Sequence, residues 1–575
     1  MPQGCEFLLP KDKANDFFTV SDLNEDQQAI GKSIREFVEK EVLPNSDRIE
    51  AKDLFFIHEL MIMLGELGYL GVEVDEEYGG AGLDKVTAAV VAEQIARQGS
   101  FACTVLDQTG IGMLPIVYFG TDELKTRYLP KLVSGEYVGA YALTEVGAGS
   151  DAAGVKTAAV LTEDGQYFVL DGEKTFVTNG GFADVFTVFA QVPEHGLTAF
   201  VVERGYPGVE IGKEEHKIGI VGSSTTTLRL NDVRVPVGNV LGEVGQGFKI
   251  ALNVLNIGRF KLGAACLGGA RQCFEEALEY ARERKQFGVP IASFGLIRQK
   301  LVEMVAQIFA MEAIVYRTAG LLDDSIKDVE KSDAKAILKA IRSVSAECSI
   351  VKVFCSETGG HIADENVQIH GGNGFTKDYA VARHWLDARI NRIFEGTNEI
   401  NRQWLFRMVM ENMSKGSLAV ELMKEGKRIE EKVMEPIMPD DSDTVVGRLL
   451  YQLNGAKEAA LLACGTALKK KKKDLENDYN NQQALVGLMS NILMDLYVLD
   501  SVLGVLVKCP SEKNELLSRH IFAATLPRIE LNAKNVLAIC CEGDERRMML
   551  SAVRKLLKYE PENILELDAG IMETF

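Results

Sequence analysis

The chain has 575 residues, 46% of them hydrophobic and 25% charged, with a formal net charge of −20. That length allows several domain-sized units around a large core, and the charge repels phosphate overall, so nucleic acid is not expected as a partner. The ten cysteines form no C-x-x-C pair and the seven histidines no H-E-x-x-H; reduced core thiols and no metal site are expected.

Residues Met1 to Pro10 lack the basic flank and apolar run of a signal peptide and the Arg-rich character of a mitochondrial presequence, which suggests a cytoplasmic, bacterial-type setting. Residues 20–140 read as a helical domain. Leu23, Ile30, Ile34, Phe37 and Val38 recur at helical spacing behind a candidate cap at Asp22, Tyr78-Gly79-Gly80-Ala81-Gly82 reads as a loop, and Leu129-Pro130 as the end of another helix. The character changes over 141–246: Gln166 to Leu170, Phe182 to Gln191, Leu197 to Val202 and Thr225 to Leu230 are short, β-branched or aromatic runs between turn residues. That predicts antiparallel strands.

From 247 to 415 the helical period returns, with Ile297, Leu301, Met304, Ile308, Met311 and Val315 on one face of a long helix. Met434 to Asp443, with two prolines and three aspartates, reads as a linker inside a further helical domain, 430–575. There, Ala484 to Val507 is apolar but interrupted by Asn491, Asp495 and Asp500, so a buried helix is expected rather than a membrane span. The five lysines Lys469 to Lys473 read as the solvated end of a helix, a lipid-surface role being the alternative.

Several segments carry candidate chemistry. Tyr141-Ala142-Leu143-Thr144-Glu145-Val146-Gly147-Ala148-Gly149-Ser150-Asp151 combines small residues with short hydroxyls, which lets backbone N–H groups approach a ligand. Gly172 to Gly180 contains Phe176 and Thr178 and, by an Asn179-Gly180 turn, would form a β-hairpin. Arg284, Gln286 and Phe287 close a long helix, where arginine suits a pyrophosphate but also a helix C-terminus. Gln368-Ile369-His370-Gly371-Gly372-Asn373-Gly374-Phe375 is a glycine cluster able to cradle phosphate. No G-x-G-x-x-G follows a strand, so a nicotinamide site is not expected, and a P-loop is missing too.

In Arg392-Ile393-Phe394-Glu395-Gly396-Thr397-Asn398-Glu399-Ile400 two readings stand. Glu395 is an acidic residue at a helix N-terminus, or a carboxylate shielded by Phe394 and suited to act as a base.

These segments, in this order, resemble the acyl-CoA dehydrogenase family over roughly residues 20–415, and that likeness favours Glu395 as the base. It implies a mainly α fold with a central β-domain: an N-terminal helical domain, a β-barrel-like middle domain and a C-terminal helical bundle, here with an extra helical domain. It implies FAD held by Tyr141, Leu143, Thr144, Gly149, Ser150, Phe176, Thr178, Arg284, Gln286, Phe287, Thr397 and Glu399. The loop with Gln368, Gly371 and Gly372 would reach the flavin of a neighbouring subunit. Ser150, Arg259 near the CoA moiety, Phe394 and Gly396 would contact the substrate. Val146 stands where the family usually has proline and Phe176 where many relatives have tryptophan.

The implied reaction converts a fatty acyl-CoA to the trans-2-enoyl-CoA, with electrons passed to an electron-transferring flavoprotein. An acyl-CoA oxidase and a non-catalytic flavoprotein scaffold are the alternatives. Some relatives carry the base at the position of Gly258, which leaves only Glu395 here. The last 130 or so residues resemble in layout the extension of very-long-chain acyl-CoA dehydrogenases, which favours a homodimer over a tetramer and weak peripheral membrane contact.

Overall fold

The computed structural model describes residues 4–330, 333–413, 416–434 and 442–574. The N-terminal helical domain contains Glu25–Phe37, Leu54–Glu66, Lys85–Ile95, Gly99–Leu106 and Asp122–Val133. Its first long helix is capped by Asn24, whose side chain accepts from the Gln27 N–H in a reciprocal capping box. Asp22 instead closes the short turn before it, accepting from Thr19. Pro130 does not end its helix, which runs on to Val133.

The middle domain is an eight-stranded sheet. Most neighbours are antiparallel, as expected, but Gly139–Ala142 pairs in parallel with Val185–Val192. The chain can join them in parallel because two other strands, Ala158–Leu161 and Tyr167–Thr178, form the crossover. The expected Asn-Gly hairpin is not formed: Tyr167–Thr178 pairs with Thr225–Pro236 and with Ala158–Leu161, not with the strand that follows it. Asn179 is instead buried, its side-chain N–H donating to Thr104 O, Gly139 O and Asp107 Oδ2. The turn thereby ties the sheet to the helical domain.

Gly247–Glu283, Gly295–Ile326, Ser345–His370 and Asn398–Met413 make the bundle. Leu301, Met304, Ile308, Met311 and Val315 are all buried along the second of these. Val445–Asn477, Tyr479–Lys508 and Glu512–Cys540 form the further helical domain, and the core runs without a break from the bundle into it. Among the described residues four helical stretches are long and apolar enough to cross a membrane by length and composition, and 72% to 89% of each such window is buried inside the protein. The charges in Tyr479–Lys508 are paired: Asp495 with Arg528 at 2.6 Å, Asp500 with Lys457 at 2.6 Å and Arg317 at 2.8 Å.

The lysine run does not end its helix, which continues to Asn477; Lys470 pairs with Glu545, and Lys471 with Asp474 at 3.1 Å. Of the expected linker, Met434 to Asp443, residues 435–441 lie outside the described residues. Residues 5–19, assigned to no domain from the sequence, bind the bundle to the further domain. Cys5 N–H donates to Glu347, Phe7 meets Tyr497 edge-on at 5.0 Å, and Asn15 donates to Asp500 at 2.7 Å.

Candidate active site

The two readings of the Glu395 segment separate by two residues. Helix Asn398–Met413 is capped by Thr397, whose Oγ1 accepts from the Ile400 N–H at 3.3 Å. That leaves the Glu395 carboxylate free of capping. Glu395 has φ +57° and Gly396 φ +80°. A non-glycine residue there costs about 1–3 kcal/mol unless its surroundings hold it.

Three side chains hold it, all through carbonyls. Glu395 O accepts from Arg259 Nε at 3.2 Å; Gly396 O accepts from Lys352 Nζ and from Asn401 Nδ2, both at 2.8 Å; Asn401 also donates to Thr397 O at 3.1 Å. Arg259 is only 3% exposed and also donates to Asn256. The guanidinium, expected near the CoA moiety, lies beneath the Glu395 loop and is bonded to it.

The loop turns the Glu395 side chain against helix Gly247–Glu283 at Gly258, where a Cβ would lie 2.7 Å from Oε2. Oε2 is enclosed and has no hydrogen-bond partner among the described residues. Burial pushes the carboxyl up to about 7, with Arg259 and Lys352 acting in the opposite direction. Asp107, which sequence reading missed, is a second buried carboxyl, raised well above its usual range by burial and then by Glu395.

Two of the glycine and aromatic segments meet beside this loop. Thr175 N–H donates to Thr144 O at 2.9 Å. Lys174, fully buried, donates to Leu143 O at 3.2 Å and pairs with Glu145 at 2.7 Å. Glu145 also accepts from the Lys156 and Thr157 N–H groups. This buried pair fixes the loop despite Val146, which is exposed. Tyr141 points inward, its hydroxyl enclosed and without a partner among the described residues. Leu143 is buried, Thr144 and Thr178 half-buried, and Gly149, Ser150 and Phe176 exposed.

Arg284, Gln286 and Phe287 are exposed just past the far end of helix Gly247–Glu283. They neighbour the glycine cluster, because Tyr280 stacks on His370 at 4.0 Å and its hydroxyl accepts from Asn373 at 3.0 Å. Gly258 and Arg284 lie roughly 26 residues apart, about 39 Å along a straight helix. Gln368, Gly371 and Gly372 are exposed at that same end. One chain thus presents two separate clusters, whereas the resemblance placed only the glycine loop on a neighbouring subunit's flavin.

Beyond Phe394 an apolar channel opens, unremarked in the sequence reading. One face of helix Gly247–Glu283 lines it with Leu262, Ala265, Cys266, Gly269, Ala270 and Cys273. Ala102, Cys103 and Leu106 face them from helix Gly99–Leu106. Burial pushes the Cys103 thiol up to about 11 and the Cys266 thiol up to about 12, so both stay protonated as apolar wall. The signal was present as small residues at i, i+3, i+4, i+7 and i+8, which read equally as close helix packing.

The residues suit an FAD. A Cβ at Gly147, Gly149, Gly371 or Gly372 would meet open space, so the backbone there is accessible to a large anionic ligand. Phe176 is 64% exposed and Phe287 93% exposed, aromatic faces that a stacked ring system or a second chain would cover.

Family models for the acyl-CoA dehydrogenase N-terminal, middle and C-terminal domains match residues 24–136, 140–233 and 245–410, and a further acyl-CoA dehydrogenase C-terminal domain model matches 455–555. A Bacillus subtilis protein named "probable acyl-CoA dehydrogenase" is 42% identical over 99% of this chain and 98% of its own length. The human very long-chain specific acyl-CoA dehydrogenase, mitochondrial, is 40% identical over 68% of this chain and 59% of its own. The crystal structure of a Bacillus anthracis acyl-CoA dehydrogenase complexed with FAD superposes with a TM-score of 0.96 at 40% identity, covering 100% of this chain and 98% of that one. With the enclosed carboxylate and the open glycine loops already in place, these likenesses settle the kinship: the chain belongs to the acyl-CoA dehydrogenase family and is an FAD-dependent oxidoreductase.

Proposed function

We propose that this enzyme dehydrogenates long-chain fatty acyl-CoA between Cα and Cβ, with Glu395 as the base. The observation that carries this reading is the Glu395 carboxylate: enclosed, unpartnered at Oε2, raised to about 7, and set at the mouth of an apolar channel. Glu395 takes the α proton onto Oε2, the Cα–Cβ double bond forms, and the β hydrogen departs with its electron pair. FAD, when bound, supplies the acceptor for that pair. No group among the described residues accepts from the Glu395 N–H, so this donor is available to the thioester carbonyl as enolate charge develops.

Chain length follows from the channel. Glu395 packs at Gly258, and Cys273 lies roughly 15 residues further along the same helix, about 22 Å. On the opposite side Asp107, the neighbour of Glu395, and Gly99, a wall residue, are separated by about 12 Å along the chain's helical rise. At about 1.2 Å per extended chain atom this accommodates roughly ten to eighteen carbons.

The distance between the two clusters exceeds the reach of one FAD, so the Arg284 and Gly371 cluster of one chain would complete the site of a second copy, and a dimer is the smallest such assembly. Arg284, Gln286 and Phe287 then act on the neighbour's FAD together with Gln368, Gly371 and Gly372, while Thr144, Phe176, Thr178, Thr397 and Glu399 act on their own. The reading takes an electron-transferring flavoprotein as acceptor and the cytoplasm as setting, where the ten free cysteines stay reduced. Anaerobic flavin bleaching against acyl-CoA length tests it: reduction should be fastest between about ten and eighteen carbons, and fastest reduction by four-carbon chains would refute the long-chain assignment.

A further inference from the structure

The channel does not end in hydrocarbon. Its far end is closed by Asp387 and His384, 7% and 8% exposed. His384 Nε2 is committed to Glu276 at 3.0 Å. Asp387 Oδ1 accepts from the Ile220 N–H, but Oδ2 is enclosed and has no partner among the described residues. Gly99 makes room for it, since a Cβ there would lie 2.8 Å from Oδ2.

A buried carboxylate oxygen without a donor is costly, by about 1–3 kcal/mol or more for a charged group. Among the described residues the wall makes no hydrogen bond to Oδ2: the lining there is Ala96, Gly99, Ala102 and Ala270, the thiols of Cys103 and Cys273, which are weak donors, and His384, whose Nε2 is committed to Glu276. The channel is the open route by which a stronger donor reaches it. We propose that Asp387 forms a polar subsite at the end of the acyl channel, which binds the hydroxyl of an acyl-CoA hydroxylated at the far end of its chain.

The subsite rests on the reading of the channel as the acyl site. It adds a distance: Asp387 is fixed by Ile220, so an ω-hydroxyl reaches Oδ2 at one chain length and falls short or buckles at others. Burial and then Glu50 raise the Asp387 carboxyl to about 6, so at neutral pH it is ionised and a strong acceptor. The group that completes it is a donor; an acceptor-only end group would face the carboxylate without a hydrogen bond.

The experiment compares kcat/KM of the FAD-loaded enzyme for ω-hydroxyacyl-CoA and for the unsubstituted acyl-CoA of equal length, across about ten to eighteen carbons. The hydroxy chain should be preferred by about tenfold at one length, and Asp387→Ala should abolish that preference while still turning over the unsubstituted chain. Asp387→Asn guards against misfolding. The Ile220 N–H holds the remaining oxygen, so the amide NH2 takes the place of Oδ2 and the variant should now favour an acceptor-only (ω−1)-oxo chain over its wild-type performance. A hydroxy-to-unsubstituted ratio at or below one at every length, with flavin still reduced by unsubstituted acyl-CoA, overturns the subsite and leaves the dehydrogenase reading intact. Absence of reduction by every acyl-CoA overturns both.

Discussion

Gly258 faces the Glu395 carboxylate so closely that a Cβ on it would sit 2.7 Å from Oε2 and 2.9 Å from Cδ. The glycine leaves the space that the carboxylate occupies, so on the proposed mechanism it belongs to the geometry of the base. Gly258→Ala should fold and bind FAD, since the displaced atoms end a side chain, but should swing the carboxylate off its path. A shift of about 1 Å costs on the order of a hundredfold in rate. Steady-state kcat against flavin content checks this, and an unchanged kcat would show that the carboxylate works elsewhere.

Glu395 must be ionised to accept a proton, and burial holds its carboxyl at about 7. The rate of flavin reduction at low substrate should therefore rise with pH through about 7 and level off above it. The same shift acts on stability with the opposite sense. The folded state holds the proton more tightly than the unfolded chain, so ionisation destabilises the fold as pH rises from the usual carboxylate range through about 7. Glu395→Gln, which stays neutral, should raise Tm, with a gain that is small near pH 4 and full above about pH 8. Thermal melts of the two proteins across that range test the sign.

Arg259 is buried under the Glu395 loop, its Nε donating to Glu395 O at 3.2 Å. Arg259→Lys removes the Nε donor to Glu395 O and should lower kcat by about tenfold as the loop loosens, while KM for acyl-CoA stays within about twofold. A rise in KM at constant kcat would restore the CoA role.

If each active site combines the Glu395 cluster of one copy with the Arg284 cluster of another, two inactive variants should complement each other. Glu395→Gln and Arg284→Glu homodimers should both be poorly active. In a dissociated and reassembled equal mixture, half of the dimers are mixed and each carries one intact site, so activity should recover to about a quarter of wild type. Recovery no greater than the sum of the parents would place both clusters on one chain's flavin.

Much of this site was legible because its segments carry their own punctuation. The glycine loops at Gly149 and Gly371 and the Phe394-Glu395-Gly396-Thr397 turn mark close backbone approaches that only a few residue types permit. The resemblance then gave the turn its expected chemistry, and the structure sets the cap, Thr397, two residues beyond Glu395. What stayed hidden depends on contacts between segments remote in sequence. Lys352, Asn401 and Arg259 hold the loop from two different helices and from the helix after it, and nothing local marks Lys352 or Asn401 as other than surface polar residues or shows that Arg259 bonds to this loop. Lys174 reads as an exposed strand residue until Glu145 is placed against it. The hairpin expected at Asn179-Gly180 failed for the same reason: its side chain bonds to the helical domain, and the strand before it finds partners further along the chain. The segment 5–19 has no strong period of its own, because its bonds are made to residues several hundred positions away.

The most direct test of the central claim is anaerobic rapid mixing of wild-type and Glu395→Gln enzyme, both loaded with FAD, with a long-chain acyl-CoA. The account predicts that both bind the ligand, that the wild-type flavin bleaches, and that the variant's bleaching rate falls by a hundredfold or more, roughly the contribution of a general base. Bleaching of the Glu395→Gln flavin at the wild-type rate would contradict it.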